Sequence, residues 1–247
     1  MMTVVAFDNV TKDYRTGFRK KKTALKDFSL AVKEGEVFGF LGPNGAGKST
    51  SIKILLNLIF PTSGTAKILG TSAGNAEIRR FVGYLPENPY FYDYLNPLEL
   101  LHFAGKTSGM HAEDIEARTE SLLHTVGLWK ERKRPIRNYS KGMVQRTGLA
   151  LALIHDPKIV ILDEPMTGLD PIGRRQVIDL ILKLKSGGKT VFFSSHILED
   201  IERVCDRIGI LVNGSLVRTL TVGSEHHDKS LEDIFIEEVE KAGGIQQ

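Results

Sequence analysis

Cysteine occurs once in these 247 residues, at Cys205, so no intrachain disulfide can form and the chain fits a reducing compartment. A small half-apolar side chain within a core is the simplest role for it. Long apolar runs are missing too: the longest, Gly148 to Ile154, has seven residues, where a spanning helix needs about 20. The chain is therefore expected not to cross a membrane. Met1 to Phe7 carries no basic side chain and its apolar stretch ends at Asp8, unlike a secretory signal, so the chain is expected in the cytosol. Proline is scarce, 9 residues, and a composition 41% hydrophobic and 26% charged excludes collagenous and disordered classes. Charge of one sign is also lacking. Lysine and arginine total 33 against 30 acidic residues, and 33 − 30 = +3 is too small an excess to imply nucleic acid as a partner. No internal repeat or low-complexity tract is evident.

What remains is a chain able to build a sizeable core. At 27.4 kDa, folding should remove about 70% of the unfolded chain's surface from water, which suits one domain with an inserted subdomain. Val37 to Leu41 is a short apolar run, followed by a glycine-rich turn and then Ile52, Ile54, Leu55, Leu58 and Ile59, the order strand, loop, helix. Lys158 to Asp163 reads as a buried strand. Asp170-Pro171 then offers a helix cap with proline in the first turn, the helix runs to Gly187-Gly188, and Thr190 to Ser194 is a further strand. Strand, helix, strand at this spacing predicts a parallel pair with a right-handed crossover and an α/β core. Between about residues 86 and 140 no β-rich run appears, while Leu98, Leu101, His102 and Ala104, then Ile115, Leu122, Leu123 and Val126, fall at helical spacings. This predicts a helical subdomain. Ser230-Leu231-Glu232-Asp233 reads as the capped start of a short helix over about 230–242.

Gly42-Pro43-Asn44-Gly45-Ala46-Gly47-Lys48-Ser49 fits the phosphate-loop pattern G-x-x-x-x-G-K-[ST], with a strand before it and a helix after. Chance would supply such a match in a chain this long on the order of 1% of the time. Glycines let successive N–H groups converge on phosphate oxygens, and the helix adds its positive end. Lys48 can reach the β- and γ-phosphates, and the Ser49 hydroxyl can ligate Mg²⁺. A glycine turn capping an ordinary helix is the bland alternative. The guanine-reading sequence N-K-x-D is absent, which weakens a GTPase reading.

Asp163 and Glu164 leave an apolar strand at its carboxyl end, where α/β sheets place ligands. Adjacent carboxylates there are costly without a task. Asp163 is placed like an acid that holds Mg²⁺ through water, and Glu164 like a base that orients or deprotonates the attacking water. His196 follows the next strand at the equivalent edge and is expected near the same phosphate. The other six histidines show no metal-ligand spacing and read as surface or packing residues.

Taken in order, Gly42 to Ser49, Tyr139-Ser140-Lys141-Gly142-Met143-Val144-Gln145-Arg146, Ile161-Leu162-Asp163-Glu164-Pro165, Gly168-Leu169-Asp170 and Ser195-His196 resemble the motif series of the ATP-binding cassette (ABC) ATPases. The likeness covers nearly the whole chain, read as one domain over 1–247. It implies a phosphate-loop NTPase core with a mostly parallel sheet, an antiparallel β part at the N-terminus and an inserted helical subdomain. It also implies ATP and Mg²⁺, with Gly42 to Ser49 and Thr50 around the phosphates, Tyr14 stacked on adenine, and Ser49, Asp163 and Glu87 near the metal. Lys48, Glu164 and His196 would be the catalytic group. Ser140 and Gly142 would meet the γ-phosphate of a second subunit's ATP, implying a homodimer, and Asp170 would organise the facing site.

Two sites depart from the family pattern. Its serine-glycine-glycine-glutamine core reads here as Ser140-Lys141-Gly142-Met143, and Glu87 stands where a glutamine is usual, adding negative charge. Both variants, with Leu231-Glu232-Asp233-Ile234-Phe235, are similar to the ATPases of type-2 ABC exporters. The resemblance therefore implies an ATPase at the cytoplasmic side of the cell membrane, held there by a separate integral membrane permease. That permease is expected to dock near Glu87 to Tyr94, where Pro89, Tyr90, Phe91, Tyr92 and Tyr94 either anchor an interface or pack the subdomain. The basic runs Arg19 to Lys22 and Glu131-Arg132-Lys133-Arg134 read first as solvated loops, with attraction to anionic headgroups as the alternative. A soluble relative acting on nucleic acid or ribosomes, or a regulatory ATPase outside transport, are the rival functions.

Overall fold

Val37–Leu41 is buried at all five positions, so this strand sits inside a sheet covered on both faces, as parallel strands do. A computed structural model describes the fold over residues 2–17, 20–223 and 230–243. In chain order, β1 (Thr3–Gly17) and β2 (Lys20–Lys33) lead to β3 (Val37–Leu41), helix α1 (Lys48–Leu55), β4 (Ser63–Ile68) and β5 (Thr71–Ser72). Then come β6 (Val82–Leu85), α2 (Pro97–Thr107), α3 (Ala112–Thr125), α4 (Lys141–Leu153), β7 (Ile159–Asp163) and α5 (Pro171–Ser186). The last described elements are β8 (Thr190–Ser195), α6 (Leu198–Val204), β9 (Arg207–Val212), β10 (Ser215–Thr221) and α7 (Leu231–Lys241). The chain divides into two compact units, 1–78 with 190–247, and 79–189.

The first unit joins two kinds of sheet. β1 pairs antiparallel with β2 and with β4, and β4 pairs with β5. β3 lies parallel to both β8 and β9, and β10 closes that group antiparallel to β9. A run of phenylalanines ties the two groups together: Phe7 meets Phe28 edge-on at 4.9 Å, Phe28 meets Phe40 at 5.7 Å, and Phe40 meets Phe192 at 5.7 Å. Such pairs contribute about 0.5–1.5 kcal/mol each beyond the area they bury. Polar groups inside this unit are matched. The Glu36 carboxylate accepts from the Lys33 amide at 2.7 Å and from Arg207 Nη1 at 3.0 Å, and the Arg207 guanidinium also covers Phe38. Cys205 is buried with its sulfur against Gly39, as the simplest reading of a lone cysteine expects.

α1 is shorter than the apolar pattern through Ile59 suggests. Asn57 turns left-handed at φ 55° and Leu58 is left 60% exposed, because the chain must reverse there to enter β4. Lys20 to Lys22 open β2 on exposed positions; Arg19, His226 and His227 lie outside the described residues.

In the second unit β6 runs parallel to β7, with Tyr84 opposite Ile161 and Leu85 opposite Leu162. α2 starts at a reciprocal cap in which Asn96 Oδ1 accepts from Glu99 N at 3.1 Å and Glu99 returns the contact to Asn96 N at 2.8 Å. Of the residues at the expected helical spacings, Leu101, Ile115, Leu123 and Val126 are buried and Leu98, His102, Ala104 and Leu122 half-buried, and Leu100 is buried beside them. Arg118 of α3 donates to the carbonyls of Leu153 and Ile154 at 2.7 and 2.6 Å, satisfying acceptors that the end of α4 leaves open. His155 lies 3.1 Å from the Val82 carbonyl, and burial lowers its pKa. His124 stacks on Trp129. Both are packing roles.

Candidate functional site

Gly42 to Ser49 leaves β3 and enters α1 at Lys48, the strand-loop-helix order predicted. Gly47 caps the helix in a left-handed conformation, φ 112°, and a Cβ there would sit 2.5 Å from the Ala24 carbonyl oxygen, so only glycine fits. Lys48 is buried, and its ammonium donates back to the Gly42 carbonyl at 2.6 Å. The loop thus folds its own cation back against its backbone. Ser49 and Thr50 stand half-buried in the first turn of α1. The loop is also held from behind: Gly214 N donates to the Ala46 carbonyl at 2.9 Å, and the Gly214 carbonyl accepts from Lys26 N at 2.9 Å. Beside it, Asn213 Nδ2 donates to the Ala242 carbonyl at the end of α7, at 3.0 Å.

β3 and β8 are in register with Leu41 opposite Ser195, so Gly42 and His196 leave neighbouring parallel strands at the same edge. His196 is exposed there, and the Ser195 hydroxyl accepts from Ile197 N at 3.0 Å to shape the turn. Tyr14 lies on β1 and is 37% exposed.

In the second unit Asp163 ends β7 only 2% exposed, and Glu164, 7% exposed, takes a left-handed backbone at φ 50°. A residue with a side chain pays for that conformation, and strain of this kind collects at functional sites. Glu87 follows the neighbouring strand β6, and its charge is felt next to Asp163. Burial first, then Asp163, then Glu87 push the Tyr84 phenol from 10.0 to about 12. Sequence reasoning assigned Tyr84 no part; its place at the carboxyl end of a strand beside an acid-bearing one was the available signal.

Ser140 caps α4, its hydroxyl accepting from Met143 N at 3.3 Å, and Asp170 caps α5, accepting from Gly173 N at 2.7 Å. The two helix starts open on one groove of about 410 Å³ that Ser140, Gly142, Arg146 and Asp170 line together. The positive end of α4, the Arg146 guanidinium and Lys141 favour an anion there, while the Asp170 carboxylate already offsets the positive end of α5. Lys141, one of the departures from the family pattern, lies along the same groove against Gly168. A second, apolar groove of about 600 Å³ is lined by Tyr90 to Tyr92, Tyr94, Phe103 and Leu151 among others. Tyr90 is 92% exposed, so these rings are not all consumed in packing the helices. Phe103 and Leu151 went unnoticed in the sequence because each sits in an ordinary helical stripe.

Among the described residues, no cluster of three or more His, Cys, Asp or Glu side chains could hold a metal unaided. Mg²⁺ takes only one or two protein oxygens and fills its shell with water and substrate phosphate, so a carboxylate such as Asp163 and a hydroxyl such as Ser49 are each chemically suited to it.

The family model for the ABC transporter matches residues 25–167. The chain belongs to the ABC transporter family. An ABC transporter ATP-binding protein of Synechocystis is 50% identical over 218 residues, 87% of this chain and 62% of that protein's own length. The chain thus spans less than two thirds of that ABC relative. The bacitracin transport ATP-binding protein BcrA of Bacillus licheniformis is 41% identical over 223 residues, 89% of this chain and 70% of BcrA. A solved ABC cassette, a dimer in a post-hydrolysis state bound to ADP and Pi, superposes with a TM-score of 0.82 at 29% identity. It covers 88% of this chain and 98% of that one. The ABC ATPase fold is therefore shared: α/β, with parallel and antiparallel strands in the same molecule. No helix among the described residues is long and apolar enough to cross a membrane.

Proposed function

We propose that this chain is the ATP-hydrolysing subunit of an ABC exporter, pairing with a second copy and driving a separate membrane permease. The observation that carries the proposal is the phosphate loop, whose strand-to-helix setting and inward-folded Lys48 ammonium form a ready anion site. The dimeric, ADP- and Pi-bound state of the solved relative supports turnover and pairing, and the bacitracin transport relative supports export.

On this reading residues 1–247 act as one ATPase domain, with a helical part over about 86–140 and α7 as the short C-terminal helix. Loop amides from Gly42 to Gly47 hold the β- and γ-phosphates, Lys48 neutralises them, and Tyr14 stacks on adenine. Glu164 takes the proton of the attacking water while His196 contacts the γ-phosphate. Mg²⁺, when bound, would screen phosphate charge; Ser49 and Asp163 would hold it, with Glu87 within reach through water. Ser140 and Gly142 meet the γ-phosphate of the second copy's ATP, and Asp170 orders that facing site. The permease docks near Glu87 to Tyr94, using the apolar groove, and holds the subunit at the cytoplasmic side of the membrane.

Replacing Glu164 by Gln tests this. Loss of a positioned general base should cut turnover by roughly 10²–10⁴-fold, while ATP binding persists and light scattering detects a dimer in ATP. Normal turnover from a protein that stays monomeric in ATP would refute both the base and the paired mechanism.

A further inference from the structure

We propose that Lys12 is a positioning residue for the base-stacking ring of Tyr14, so that one ring face is closed by a fixed cation and the other is kept for a purine. This rests on the reading of Tyr14 as the adenine platform. Lys12 and Tyr14 stand two residues apart on β1 and so share a face of the strand. The Lys12 ammonium lies 5.2 Å from the centroid of the Tyr14 ring, within the reach of a cation–π contact.

The ammonium is anchored independently of the ring. It donates to the Phe60 carbonyl at 2.6 Å, in the connection between α1 and β4. That connection is itself fastened to β1: Thr62 N donates to the Thr11 carbonyl at 2.7 Å, and Asp13 N donates to the Thr62 hydroxyl at 2.9 Å. The acid nearest in sequence is engaged elsewhere. Asp13 accepts from the Thr23 hydroxyl at 2.8 Å and faces Lys21 at 3.8 Å. The anchor of Lys12 is thus a neutral carbonyl, which leaves the positive charge free to act on the π face. A cation on one face holds the ring in place and excludes a base from that side. The opposite face of a residue 37% exposed then has one orientation to offer.

The test compares ADP with inorganic pyrophosphate, which shares the phosphates but has no base, by equilibrium binding to the intact chain. Lys12→Met should weaken ADP about two- to five-fold, the size of an exposed cation–π contact, and leave pyrophosphate unchanged. Lys12→Arg should restore ADP binding. Tyr14→Ala should weaken ADP about five- to 150-fold, the value of one stacked base, and adding Lys12→Met to it should cost nothing more. Unchanged ADP affinity in Lys12→Met, an equal loss for both ligands, or an undiminished effect in the Tyr14→Ala background would each overturn the positioning role while leaving stacking intact. If Tyr14→Ala itself left the ADP to pyrophosphate ratio unchanged, the stacking reading would fall, and the role of Lys12 with it.

Discussion

Glu164 is held with φ at 50° where β7 gives way to the loop before α5, and that backbone should cost stability that a change of residue can recover. A left-handed residue with a Cβ costs about 1–2 kcal/mol relative to the right-handed form. Glycine avoids that cost but loses about 0.5–1 kcal/mol more chain entropy on folding. Comparing Glu164→Ala with Glu164→Gly cancels the loss of the carboxylate, since both remove it, and leaves the backbone difference alone. The glycine variant should therefore be the more stable by roughly 0.5–1 kcal/mol, read as a higher urea midpoint at unchanged slope. In a chain of this size each kcal/mol corresponds to about 2–4 °C in Tm. Both variants should lose turnover by roughly the same 10²–10⁴-fold as Glu164→Gln. An alanine variant as stable as the glycine one would mean that the loop relaxes and stores no strain, and a turnover-competent glycine variant would remove Glu164 from the chemistry.

Three further outcomes follow from the packing. Arg207→Leu strips the guanidinium from the buried Glu36 carboxylate and should cost about 3 kcal/mol in chemical denaturation, with Glu36→Leu/Arg207→Leu recovering much of it. Tyr84 and Tyr139 both have phenols raised to about 12 by burial, helped by Asp163 and Glu87 for Tyr84 and by Glu131 for Tyr139. Because the folded pKa lies above the unfolded 10.0, their contribution is intact below pH 10 and disappears as pH rises towards 12. Tyr84→Phe and Tyr139→Phe should each remove one late step from the ultraviolet tyrosinate titration, and should flatten the fall of stability over that range. Tyr90→Ala with Tyr92→Ala replaces residues that are 92% and 66% exposed, so Tm and ADP binding should hold while recovery with membranes containing the proposed permease falls.

Much of the parallel core was readable because its strands are short, apolar and punctuated. Asp170-Pro171 and Gly187-Gly188 bracketed α5, which runs Pro171–Ser186 with Asp170 as its cap. Ser230 likewise caps α7, with Asp233 completing the reciprocal bond. The long antiparallel pair β1 and β2 was legible only through family likeness, since its polar positions and repeated register shifts break the alternation that reveals a strand. α1 misled for the opposite reason: Leu58 and Ile59 keep a helical spacing past the point where Asn57 has turned the chain away. Motif residues could be named from spacing, whereas the groove shared by Ser140 and Asp170 depends on two helix starts converging, which no local pattern records. The strain at Glu164 was equally invisible, because the side chain that signals chemistry says nothing about its own φ.

The turn at Asn213-Gly214 has a thermodynamic consequence. It grips the back of the phosphate loop through Ala46 and the end of α7 through Ala242. The Gly214 amide proton can exchange with solvent only when its bond to the loop opens, so it reports the loop's fluctuations without touching a ligand. Filling the loop should slow exchange at Gly214 and damp fraying at the C-terminal end of α7. Linkage runs both ways: whatever steadies α7 must, by the same free energy, tighten the grip of the loop on phosphate.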